Sequence, residues 1–175
     1  IYRLVPDLSI QDFLVDEKTL DSCHSQGRSG TIDETVLVSE SPEGIRIGVY
    51  IAPKVLRRLD EDSPLIRLTP TNLDDFCTAV EAVSHFLLLV TRISQNRPIS
   101  QLELELQGEV DKYLLCALTL QRQKESHAVQ VLPQTLFDGY QLVPQLRTEE
   151  KERYHLANRL AFQYVQKIHR HSHRL

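Results

Sequence analysis

The chain lacks a long apolar run. Its most hydrophobic stretch, Phe86 to Val90, falls far short of the roughly 20 residues that cross a bilayer. The sequence is therefore read without a membrane span. A secretory leader is not expected either, because Asp7, Asp12 and Asp16 interrupt the N-terminal segment. Cysteine is scarce, scattered and odd in number: Cys23, Cys77 and Cys116. This provides neither a disulfide framework nor a paired-cysteine zinc pattern, and a reducing, cytoplasmic location fits best. Cys77 and Cys116 read as small core hydrophobes. Cys23 lies beside His24 in a loop with nothing to orient the pair.

Signature motifs are missing too. No Gly-x-Ser-x-Gly elbow announces a serine hydrolase. The glycine-containing stretch "GRSG" has neither the length nor the lysine of a phosphate loop. Tryptophan and methionine are absent, and aromatics are few. The C-terminal basic region accordingly lacks the interleaved aromatics that nucleic-acid readers use.

What is present fits one ordinary globular domain spanning 1–175, long enough to bury most of its apolar surface. Charge is uneven. From Gln145 onward seven Lys or Arg face three Glu, giving +4 and leaving −8 for the rest of a chain of net charge −4. The tail from 170 to 175, "RHSHRL", reads as frayed. With His169 it offers alternate imidazoles (His169, His171, His173) that suit only adventitious metal binding.

Periodicity predicts the elements. Ser9 is placed to cap a short helix beginning near Ile10, and residues 21–34 read as a polar loop. "TVLVSESPEGIRIGVYI" alternates on both sides of a turn with Pro second and Gly fourth, predicting a β-hairpin over 35–51. Pro53 opens a short helix. The strongest helical signal covers 72–94: Thr71 or Asn72 caps it, and Asp74 and Asp75 occupy its first turn. It is apolar around so much of its girth that it must be packed from several directions. After Pro98, Ser100 and Glu103 form a capping-box pattern. Leu102, Leu106, Val110, Tyr113 and Ala117 then step at helical spacing, so 101–121 is a second helix antiparallel to the first. Gly108 within it costs about 1 kcal/mol relative to Ala and implies another backbone passing close. Residues 128–142 alternate and are read as strands extending the hairpin into a small antiparallel sheet. Thr148 caps a last helix, 148–169, whose buried face is Tyr154, Ala157, Ala161, Val165 and Ile168. The predicted fold class is α+β: a hairpin on a layer of three helices.

The candidate chemistry lies on the two central helices. Glu109 falls within about 20° of Leu102 at 100° per residue, inside the apolar stripe, with Glu105 and Tyr113 four residues away on the same side. Glu81 and His85 are likewise four apart on the first helix. Neighbouring helices that both aim ligands inward are how bundle metal sites are made. Glu81, His85, Glu105 and Glu109 would suit Fe, Mn or Zn. The pattern departs from the carboxylate di-metal bundles, because Glu-x-x-x-His replaces Glu-x-x-His and occurs once. The remaining helices offer only Asn158 and His155. The plainer reading pairs Glu109 with Lys112, Arg92 or Arg159 and makes His85 a helix-flank residue, since a buried carboxylate needs a partner.

With no cofactor motif and no nucleophile with an evident base, the first expectation is a non-catalytic cytoplasmic binding or accessory module. It would work through a protein partner, a second copy included. A metal-dependent enzyme or sensor on the inward carboxylates is the alternative. A third reading is an anion or nucleic-acid binder using Arg147, Arg153, Arg159, Lys167 and Arg170, the nucleic acid being disfavoured by the missing aromatics.

Overall fold

Ser41, Pro42, Glu43 and Gly44 reverse the chain, and Gly44 takes a φ of +130° that a side chain rarely tolerates. The computed structural model describes residues 8–23, 32–138 and 147–172. In it the turn joins β1 (Glu34–Ser41) to β2 (Gly44–Ile51). The strands pair antiparallel, from Glu34 opposite Ile51 to Ser41 opposite Gly44. The second half of β2 is buried on both faces. It packs in one apolar cluster with α2 (Pro53–Glu61), α3 (Leu73–Ser94) and the chain's N-terminal segments. Val15 donates its amide to the Val49 carbonyl at 2.9 Å, and the ring of Phe13 lies 4.8 Å from that of Phe86.

Four further helices are described: α1 (Glu17–Cys23), α4 (Gln101–Arg122), α5 (Ser126–Phe137) and α6 (Thr148–Ser172). The hairpin packs on α3, α3 on α4, and α4 on α6, giving the α+β arrangement the periodicity predicts. α4 starts as the sequence demands: the Ser100 hydroxyl accepts from the Glu103 amide, and the Glu103 carboxylate accepts from the Ser100 amide. Between α3 and α4 the chain turns at Asn96, whose φ of 53° is left-handed, and the Arg97 amide donates back to the Arg92 carbonyl at 2.9 Å. By length and composition α3 is apolar enough to cross a membrane; here it is flanked by α2, α4 and both strands.

Two apolar clusters form the core. One lies among α4, α5 and α6 around Tyr113, Cys116, Leu132 and Val165. The other lies between the hairpin, α1, α2 and α3 around Val49, Val55 and Phe86. α3 contributes to both.

Several expectations need correction. The strand reading of 128–142 fails over 128–137, which belong to α5; residues 139–142 lie outside the described ones. Val129, Leu132, Pro133 and Phe137 are buried at helical spacing, and this outweighs a short alternation. Pro133 lies inside that helix, where it supplies no amide to the ladder. The polar loop assigned to 21–34 includes the end of α1, and residues 24–31 lie outside the described ones. The helix near Ile10 is a 3₁₀ turn, Ile10–Phe13, and the Ser9 side chain makes no capping bond. Asn72 occupies the N-cap of α3 without capping it. It accepts instead from the Thr69 amide and donates to the Asp62 and Arg67 carbonyls, tying down the preceding loop. Thr148 is the first residue of α6 rather than its cap, and Glu150 accepts from the Arg147 amide at 2.9 Å. The expected tail is helical to Ser172, while 173–175 lie outside the described residues.

Candidate metal centre

Gly108 lets the side chains of α3 come close to α4. A Cβ there would lie 3.1 Å from Nε2 of His85 and 3.4 Å from Cγ of Glu81. The approach that the glycine permits is therefore of side chains, not of the backbone that the sequence suggested. This fixes a measurable expectation. Alanine has an intrinsic helix advantage of about 1 kcal/mol over glycine, yet Gly108→Ala should gain no stability in urea unfolding. The new methyl would press on a buried imidazole, and a clear rise in the midpoint would contradict the packing.

The closeness brings three predicted residues together. Glu81 and His85 from α3 and Glu105 from α4 offer ligand atoms that all lie within 4.8 Å of one another. Glu109, the fourth, is held apart from them by a cation. Lys112 Nζ donates to Glu109 Oε1 at 2.9 Å and to Glu81 Oε2 at 3.0 Å. The pairing of Glu109 with Lys112 is the one the i, i+3 spacing allows. Arg92 goes instead to Glu103, at 2.8 Å.

No sequence pattern pointed to Glu34. At the start of β1 it places Oε2 3.8 Å from Nδ1 of His85. Tyr154 and Arg153 reach Glu105 from α6, the first by a side-chain hydrogen bond and the second with Nε 3.8 Å from Oε1. Among the described residues, Glu34, Glu81, Glu105 and Glu109 share a buried region with the cations Lys112 and Arg153, and Asp111 also acts on His85, so carboxylates outnumber cations there.

Protonation responds to that imbalance. Burial, then the charges of Glu81 and Glu105, push Glu34 up to about 8. Burial, then Glu81, pushes Glu105 up to about 7. Glu109 is also raised, by burial, with Lys112 opposing. Glu81 is lowered: burial acts to raise it, but Lys112 and His85 together win. Burial lowers His85, against the pull of Glu81, so the imidazole is disposed to be neutral, the form that binds metals. His85 is only 9% exposed. Its Nε2 and Oε2 of Glu34 are buried without a well-formed hydrogen bond, although buried polar atoms are usually satisfied, and the Leu104 backbone acts on the ring as a weak acceptor.

The other candidates spread out. Arg153 is turned onto Glu105, whereas Arg147, Arg159, Lys167 and Arg170 are exposed. His169 accompanies the core rather than the tail, with Nδ1 2.9 Å from the Tyr113 hydroxyl. Cys23 is exposed, and Cys116 is fully buried. His155 is exposed, and Asn158 has a buried amide nitrogen without a partner. Compared with known proteins, the chain matches no family model, no curated protein and no solved structure.

Proposed function

We propose that this chain binds a divalent transition-metal ion through Glu81, His85 and Glu105. The observation that carries the reading is the convergence of ligand atoms from these three groups, all within 4.8 Å of one another, at an imidazole that is 9% exposed. Two carboxylates and an imidazole form a mixed oxygen and nitrogen set suited to Fe, Mn or Zn. Two ionised carboxylates neutralise a divalent ion, and Lys112 stays with Glu109. Glu34, 3.8 Å from Nδ1 of His85, would act as the carboxylate behind a metal-bound imidazole on closing by about 1 Å; Tyr154 is hydrogen-bonded to Glu105. Three protein ligands leave coordination positions for water or substrate, as in catalytic rather than closed structural sites.

Calorimetric titration of chelator-stripped protein with Zn²⁺ and Mn²⁺ tests this. The protein should carry His171→Gln and His173→Gln to remove the alternating imidazoles of the C-terminal sequence. One ion per chain is expected, and His85→Ala or Glu105→Gln should weaken binding more than about 100-fold, beyond what the loss of an outer-shell partner does. Binding unchanged in folded variants, or none in the parent, ends the proposal.

A second reading has its own observation. Leu65 and Ile66 are 78% and 83% exposed side by side, which favours a protein partner such as a second copy. It predicts concentration-dependent association in sedimentation, abolished by Leu65→Ser with Ile66→Ser. A chain that is monomeric throughout removes the homodimer.

A further inference from the structure

Cys77 on α3 and Cys116 on α4 face one another with Sγ atoms 3.9 Å apart. They are 39 residues apart in sequence, so the fold alone brings them together. Neither thiol takes part in the proposed metal centre. Cys116 is fully buried, Cys77 only partly so, and Cys23 is exposed and elsewhere.

We propose that Cys77 and Cys116 are an oxidation site, a dithiol that a peroxide closes into a disulfide joining α3 to α4. Forming the bond asks the sulfurs to close by about 1.9 Å, to the usual ~2.05 Å. Both cysteines lie on regular helices in direct packing contact. Contact with Cys77, then burial, pushes the Cys116 thiol up, which leaves the more accessible Cys77 as the attacking sulfur. The Cys77 thiolate attacks one peroxide oxygen, the O–O bond breaks, and a sulfenic acid and one water result. Cys116 sulfur then attacks the Cys77 sulfur and displaces the second water. Two thiols and one hydrogen peroxide become one disulfide and two waters.

The crosslink would sit one helical turn from the metal centre. Cys77 precedes Glu81 by four residues, and Cys116 follows Lys112 by four. Closing it fixes the α3–α4 spacing behind the Glu81–Lys112 ion pair.

The test uses the full chain carrying Cys23→Ser, so that no exposed thiol joins two molecules. Folded protein is treated with hydrogen peroxide, and free thiols are then titrated in denaturant. Both remaining thiols should disappear together, with an intact mass lower by two hydrogens and a peptide linking Cys77 to Cys116. Dithiothreitol should restore both. The same reaction in denaturant should be at least about 10-fold slower, because the fold supplies the proximity. The crosslinked chain should melt several degrees higher. Two free thiols after treatment, or Cys77 driven to sulfinic acid while Cys116 remains reduced, would overturn the proposal. Neither result bears on metal binding.

Discussion

Lys112→Met is expected to destabilise the metal-free protein at neutral pH by about 3–5 kcal/mol, the range for stripping one partner from a buried ion pair. Lys112 is nearly buried between Glu81 and Glu109, both largely buried as well. Its desolvation acts to lower its affinity for the proton, yet the two carboxylates more than reverse this and hold it charged. Without the ammonium, Glu81 and Glu109 are left as buried carboxylates with no cation between them. Urea unfolding at pH 7 measures the loss, and a change under about 1 kcal/mol would mean that the ion pairs are exposed in solution. If the ion occupies the proposed site, saturating Zn²⁺ should stabilise this variant more than the parent, because it replaces a missing positive charge.

The second large effect is on pH. Glu34 is raised from 4.5 to about 8, and Glu105 from 4.5 to about 7. Between those limits the folded metal-free chain holds protons that the unfolded chain has released. Stability therefore falls as pH rises from about 5 to about 8, by up to about 1.4 kcal/mol per pH unit for each group. Glu81 and His85 are lowered and work the other way: the contribution of Glu81 is lost only as pH falls below its unfolded value of 4.5, whereas His85, held neutral by burial, offsets part of the fall below its unfolded value of 6.5, so the decline is steepest from about 6.5 to 8. Glu34→Gln removes a strongly raised carboxylate without removing the side chain. It should make metal-free protein at pH 8 more stable by up to several kcal/mol and flatten the curve above pH 5. Thermal or urea unfolding from pH 5 to 8 measures this. A parent whose stability rises across that window would show that Glu34 and Glu105 are ionised and satisfied in the fold.

Local rules made much of this readable. Ser100 with Glu103 marks the start of α4, and the step from Leu102 to Ala117 overrides the brief Leu-Glu alternation because it lasts longer. Once α3 and α4 are antiparallel neighbours, Glu81, His85 and Glu105 fall on facing sides, so the convergence of these three side chains was legible from spacing. Glu34 was not, because its approach to His85 joins residues 51 positions apart across a strand and a helix, and no local pattern records that. α5 was misread for a related reason: in a few residues around Val129 and Val131 alternation mimics a strand, and only burial against α4 and α6 decides. Gly108 signalled a close approach correctly but not what approaches, since an absent side chain has no preference between a backbone and an imidazole.

The most direct measurement is anomalous diffraction at the zinc edge from crystals soaked in Zn²⁺. One strong peak is expected roughly 2 Å from a ring nitrogen of His85 and from carboxylate oxygens of Glu81 and Glu105. A crystal whose zinc sits only on surface histidines, with Glu81 still bonded to Lys112 and no density between the three groups, would contradict the proposed centre.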